Sequence, residues 1–172
     1  MLFFTNLLGI ITGIAIPYFL NSYGILIGYE GVQYYAEVHT TFLNSIIHTL
    51  FMPFTIYGIL LWAPRVITYD YNLGIKIQHF LYSAYMTHYL LINPFIGALT
   101  SILYYYPLFY ANLDYKNKVM YPFTSGLFIS TIALTIQEVF GHWLSGDPPS
   151  RIEAVPNAIL YAMYYSVSHL FT

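Results

Sequence analysis

The chain has 172 residues, 58% of them hydrophobic and only 7% charged, with a net charge of −2. A soluble domain carries about 25% charged residues, so this chain cannot clothe a water-exposed globule; most of its exterior must face lipid, and it has no basic surface for nucleic acid. It has no cysteine, which excludes disulfides, iron–sulfur clusters, thiolate zinc and cysteine nucleophiles.

A membrane span needs about 20 mainly apolar residues, and the apolar segments predict an all-α polytopic membrane helical bundle of about five to six transmembrane helices. The first, Leu2–Gly28, has no basic region before it and is longer than a signal-peptide core, so it reads as a retained membrane helix. Phe42–Trp62 follows, then Ile77–Ile92 and Phe95–Leu113, divided by an Asn93-Pro94 turn. Val119–Leu144 and Ala154–Leu170 complete the set. Tyr29–Thr41, Ala63–Lys76, Asp114–Lys118 and Ser145–Glu153 are polar connectors, none long enough to divide domains, so residues 1–172 form a single membrane domain. The 20 tyrosines and 13 phenylalanines suit the membrane interface.

Arg65 and Lys76 fall in one connector, Lys116 and Lys118 in another. With six spans those connectors share a side, which the positive-inside rule makes cytosolic. On that topology His39, His48, His88 and His142 lie near one membrane face, and His79 and His169 near the other.

Imidazole is costly to bury in hydrocarbon and is the commonest metal ligand. Here the histidines fall in a frame, Tyr35-x3-His39-x4-Asn44-x3-His48-x4-Pro53, followed much later by Gly141-His142. One continuous helix from His39 to His48 would point the two rings to opposite faces at about 100° per residue. A helix that begins at Thr40 or Thr41, both competent N-caps, instead leaves His39 on the entering loop to fold back. Asn44 and His48 then stack on one face. Glu138 and His142 are likewise spaced for one helix face, and Gly141 allows another group to approach closely. Gly146-Asp147-Pro148-Pro149 ends that helix and leaves Asp147 and Arg151 near the membrane surface. The Arg151 fork suits a carboxylate such as a fatty-acid headgroup. His79 reads as a packing residue.

These residues resemble the 2-hydroxy fatty acid dioxygenase family, endoplasmic-reticulum-type membrane enzymes of phytosphingosine-to-odd-chain fatty acid metabolism. The resemblance covers residues 30–172, with 2–28 as a divergent leader helix. It implies an Fe(2+)-dependent, O2-using enzyme of fatty acid α-oxidation. Such an enzyme cleaves the C1–C2 bond of a long-chain 2-hydroxy fatty acid and yields the acid one carbon shorter. His39, His48 and His142 fall on the family's histidines, Asn44 on its asparagine, and Pro149 approximately on its proline. The implied metal set is those three histidines with His88 or His169 as a fourth. Asn44, Glu138, Asp147 and Arg151 are the catalytic candidates around them.

The chain departs from the family in four places. Glu138 stands where the family has glutamine, with Gln137 one place earlier, and Gly146-Asp147 stands where it has glutamate. Arg151 follows the proline segment instead of a basic pair preceding it, and His169 replaces an acidic residue. Two other classes compete. A haem protein would use His48 and His142 as axial ligands, and a non-enzymatic membrane protein would keep its histidines for structure. The His-x-x-x-His and His-x-x-His-His boxes of di-iron membrane enzymes are absent.

Overall fold

Backbone amides in hydrocarbon find no water to bond, so an apolar chain satisfies them within each segment. In the computed structural model, which describes residues 2–148 and 155–171, every regular element is accordingly helical. The elements are α1 Leu2–Asn21, α2 Gly28–Ala36, α3 Phe42–Ile67, α4 Tyr71–Ile92, α5 Pro94–Lys116, α6 Pro122–Ser145 and α7 Val155–Ser168. A 3-10 turn, His169–Phe171, follows α7. Three of these helices, α1, α3 and α6, are long and apolar enough to cross a membrane. Pro149 and Arg151 lie outside the described residues.

Capping chemistry moves several boundaries away from where apolarity alone put them. α4 begins at Tyr71, not Ile77, because the Asp70 carboxylate accepts the Asn72 N–H at 2.8 Å and starts the helix early. α5 begins on Pro94, with the Asn93 side chain accepting from Phe95 N and Ile96 N at 3.0 and 3.2 Å. α3 continues past Trp62 through Pro64 to Ile67. The segment 29–41, expected as a connector, instead carries α2, whose buried residues Gly31, Val32 and Tyr35 anchor it to the bundle.

The long helices alternate in direction. α3 packs antiparallel on α6, and the contact is close enough that Gly58 and Gly126 face each other backbone to backbone. A Cβ on either would come within 2.6 Å of the other's carbonyl oxygen. α1 packs along α4, and α4 along α5. At one end of the bundle Arg65 lies 3.7 Å over the Tyr71 ring and donates to the Tyr69 carbonyl at 2.5 Å. There Tyr71 Oη also donates to the Val119 carbonyl, so the 68–70 and 117–121 turns share that end. The opposite end gathers α2, the start of α3, the end of α6 and α7.

The position of α7 corrects the expected topology. Its 14 described residues rise about 21 Å. Asn157 near its start donates to the Leu26 carbonyl at 2.9 Å, while His169 just past its end packs against Phe42 with ring centroids 6.2 Å apart. Both ends therefore sit on the α2 side, and His169 lies at the same face as His39, not the opposite one. His79 is at the far end of α4, its Nε2 3.2 Å from the Asn112 amide, as a packing residue.

Candidate metal centre

Thr41 caps α3: its Oγ1 accepts the Asn44 N–H at 3.3 Å. His39 is left on the loop between α2 and α3 and folds back, so its Nε2 sits 3.2 Å from His48 Nε2. His142 reaches the pair from α6. The ring centroids are 4.4 Å (His39–His48), 5.1 Å (His39–His142) and 5.9 Å (His48–His142). All three residues are buried, and their ligating nitrogens lie within 4.8 Å of one another, the one such group among the described residues.

This donor set fits a divalent ion. Metal–nitrogen bonds of about 2.0–2.1 Å put neighbouring ligand nitrogens about 3.0–3.4 Å apart, the separation the His39–His48 pair already has. His142 Nε2 is buried without a hydrogen-bond partner, a costly state that an ion relieves. Its nearest acid is Glu138, Oε2 at 3.7 Å.

Tyr35 orients both members of the close pair. Its backbone carbonyl meets His39 Nδ1 at 2.9 Å, which makes Nδ1 the donor and leaves Nε2 with its lone pair. Burial pushes His39 down to about 4, so the imidazole is neutral at ordinary pH despite the carbonyl's opposing pull. The Tyr35 hydroxyl lies 3.4 Å from His48 Nδ1, and its ring stacks on His39 with centroids 4.3 Å apart. The same heavy-atom positions serve two proton arrangements. In one, His48 Nε2–H donates to His39 Nε2 and Tyr35 donates to His48 Nδ1. In the other, His48 Nδ1–H donates to the Tyr35 oxygen, and both Nε2 lone pairs face one point.

Asn44 and Asp147 brace the far side. Asp147 is buried; it accepts from Thr40 Oγ1 at 2.5 Å, Thr41 Oγ1 at 2.9 Å, Thr41 N at 3.2 Å and Asn44 Nδ2 at 3.0 Å. Burial alone would raise its carboxyl, but the hydrogen bonds from Thr40, Asn44 and Thr41 outweigh that and hold it well below the usual carboxylate range. The carboxylate also fixes the Asn44 amide, whose Nδ2 lies 3.5 Å from His142 Nδ1. Gly141 makes room for that amide, since a Cβ there would stand 3.0 Å from Asn44 Oδ1.

The helix face expected to carry Glu138 and His142 is not α-helical. Ile136–Gly141 forms a π-helical turn inside α6, a feature common at functional sites. In this wider register Gln137 is the residue turned inward. It is fully buried and donates from Nε2 to Thr55 Oγ1 at 2.7 Å, while the Glu138 side chain remains 38% exposed. Glu138 still flanks His142, but Gln137 is the interior amide of this segment. Neither Tyr35 nor Gln137 was among the expected site residues. The only prior signals were Tyr35's place in the motif frame and Gln137's place beside Glu138.

His88 and His169 lie outside the triad. His88 Nε2 pairs with Tyr161 Oη at 3.2 Å. His169 stacks on Tyr165 with centroids 5.9 Å apart, and Tyr165 in turn packs against His39 and donates to its carbonyl at 2.8 Å. Comparison with family models, curated proteins and solved structures returned no match to this chain.

Proposed function

We propose that the chain is an integral membrane, Fe(II)-dependent dioxygenase that cleaves a long-chain 2-hydroxy fatty acid to the acid one carbon shorter. The observation that carries this reading is the buried convergence of His39, His48 and His142, with the Nε2 atoms of His39 and His48 3.2 Å apart. It joins the motif frame that resembles the dioxygenase family, from which the choice of iron and an endoplasmic-reticulum membrane also come. Five helices of 20–26 residues, α1, α3, α4, α5 and α6, support five spans, with α2 and α7 at one face.

Iron bound here supplies a coordination centre for the substrate oxygens and the redox chemistry of O2. The chain's own residues do the rest. The Tyr35 carbonyl sets the tautomer of His39 and its hydroxyl stands beside His48 Nδ1, while Asp147 holds Asn44 against His142. The apolar helices keep bulk water out. The overall conversion balances: 2-hydroxy acid plus O2 gives the shorter acid, CO2 and water.

The haem alternative fares worse. His39 packs against both His48 and His142, which leaves no slot for a macrocycle between them. The test is elemental analysis of the detergent-purified protein after anaerobic iron loading, beside His48→Ala and His142→Ala. Near-stoichiometric iron in the wild type and its loss in both variants is expected, followed by O2-dependent conversion of 2-hydroxypalmitate to pentadecanoate. Equal metal in all three would leave a membrane protein with structural histidines.

A further inference from the structure

The face that α6 turns toward α3 is a stripe of buried positions, Gly126, Ser130, Ala133 and Gln137, spaced four, three and four apart. That is α-helical spacing. One more α-helical step carries Gly141 onto this face and turns His142 aside by about 100°. The π-helical turn Ile136–Gly141 adds the residue that brings His142 round to His39 and His48. Such turns are rare, and something must hold this one open against the α-helix on either side.

Gln137 stands where the turn begins. Its Nε2 carries two hydrogens and uses both. One goes to the Ala133 carbonyl at 3.0 Å, four residues back, and the other to Thr55 Oγ1 on α3 at 2.7 Å. The first bond puts a side chain into the backbone ladder at the step where its period changes, a known cause of local departure from the α-helix. The second ties that step to the helix that carries His48, seven residues before Thr55. Thr55 Oγ1 can accept because its own hydrogen goes to the Phe51 carbonyl at 3.4 Å. Both side chains are buried, and Gln137 Oε1 has no partner among the described residues. An apolar side chain would fill this place at lower cost, so the two donor bonds are what the amide contributes.

We propose that Gln137 is a positioning residue, whose bond to Thr55 fixes the π-helical turn and thereby aims His142 at the other two histidines. Asn44 and Asp147 pin α6 beyond His142, and Gln137 pins it before the turn, so the histidine is held from both sides. The inference rests on the proposed function only in taking the triad to hold a divalent ion; neither iron nor substrate enters it.

The test uses full-length protein in detergent and cobalt(II) alone as the probe, since its visible bands follow the number and geometry of its ligands. Gln137→Met keeps the length of the side chain and removes both donors. Thr55→Val keeps the shape, removes the acceptor and leaves Gln137 in place. Each is expected to weaken cobalt binding about tenfold or more and to change the bands. The double variant should lose no more than Gln137→Met alone, because one interaction is being removed twice. Thr55→Ser, which keeps the hydroxyl, is expected to bind as wild type. In the metal-free protein the ring signals of the six histidines, read by 1H–13C NMR, give a second measure. The His142 signal should move in both single variants, while that of His79, at the far end of α4, should stay.

Wild-type affinity and bands in both variants, whatever their unfolding temperature, would make Gln137 a packing residue and overturn the proposal. Equal weakening by Thr55→Ser and Thr55→Val would overturn it too. Should Gln137→Met not fold, Thr55→Val decides in its place. A wild type that takes up no cobalt removes the proposed function. The His142 signal then decides alone: its movement in both variants upholds the positioning role, and its constancy ends it.

Discussion

Asp147 Oδ2 accepts a hydrogen bond from Asn44 Nδ2 at 3.0 Å, across 103 residues of chain. Through it the C-terminal end of α6 is clasped to the first turn of α3, and the two helices that carry His142 and His48 are held in one register. Asp147→Ala leaves Thr40, Thr41 and Asn44 donors unpaired. The expected result is a loss of roughly 1–3 kcal/mol of stability and of about 10–100-fold in iron affinity. Thermal unfolding in detergent and a chelator-competition titration read the two effects; unchanged iron affinity would reduce the clasp to a purely structural one.

Acid should dissolve the same clasp. The folded carboxyl of Asp147 lies below its ordinary value of 3.8, so its contribution is complete above that pH and fades as pH falls through the folded value. The difference in unfolding temperature between wild type and Asp147→Asn is expected to be widest at neutral pH and to narrow below about pH 4. A difference that stays constant down to pH 3 would contradict the assignment.

Tyr35→Phe removes only the hydroxyl near His48 and leaves the backbone carbonyl that fixes His39. Iron affinity is expected to fall about tenfold with the helical content unchanged. A fall of the size caused by His48→Ala would mean that the tyrosine does more than orient.

Gly58→Leu places a side chain where the Gly126 carbonyl already stands. Backbone on both sides cannot yield cheaply, so destabilisation of roughly 1–3 kcal/mol or more is expected, seen as a lower unfolding temperature and earlier aggregation. Wild-type stability would show that α3 and α6 are farther apart than described.

Because the chain has no cysteine, single cysteines report topology without background. Tyr23→Cys and Phe171→Cys are expected to react from one side of a sealed membrane with an impermeant maleimide, and Tyr69→Cys and Met120→Cys from the other. Reaction of Phe171→Cys with the Tyr69 set would restore a sixth span and return His169 to the opposite face.

The sequence made the local features of the centre legible and hid the distant ones. The fold-back of His39 was readable because the Thr41 cap is decided within a few residues, and the stacking of Asn44 on His48 follows from helical periodicity. The partners of Asp147 were not readable, since Thr40 and Thr41 meet it only after α3 and α6 have packed. The face of His169 is not legible because 154–170 is apolar enough to suggest a span, while the contacts of Asn157 with Leu26 and of His169 with Phe42 that keep both described ends on one side form only on packing. The short helix α2 was missed because its buried residues alternate with polar ones such as Glu30 and Gln33.

The π-helical turn Ile136–Gly141 makes chain length a determinant of this centre alongside side-chain identity. A turn of that kind holds one more residue than the α-helix it interrupts, and that extra residue decides whether Gln137 or its acidic neighbour is carried to the interior. Deleting a single residue between Ala133 and Gln137 would rewind α6 and rotate everything upstream against His142 by about 100°. In the lineage of this chain, a one-codon insertion or deletion would thus be a larger chemical event than most substitutions.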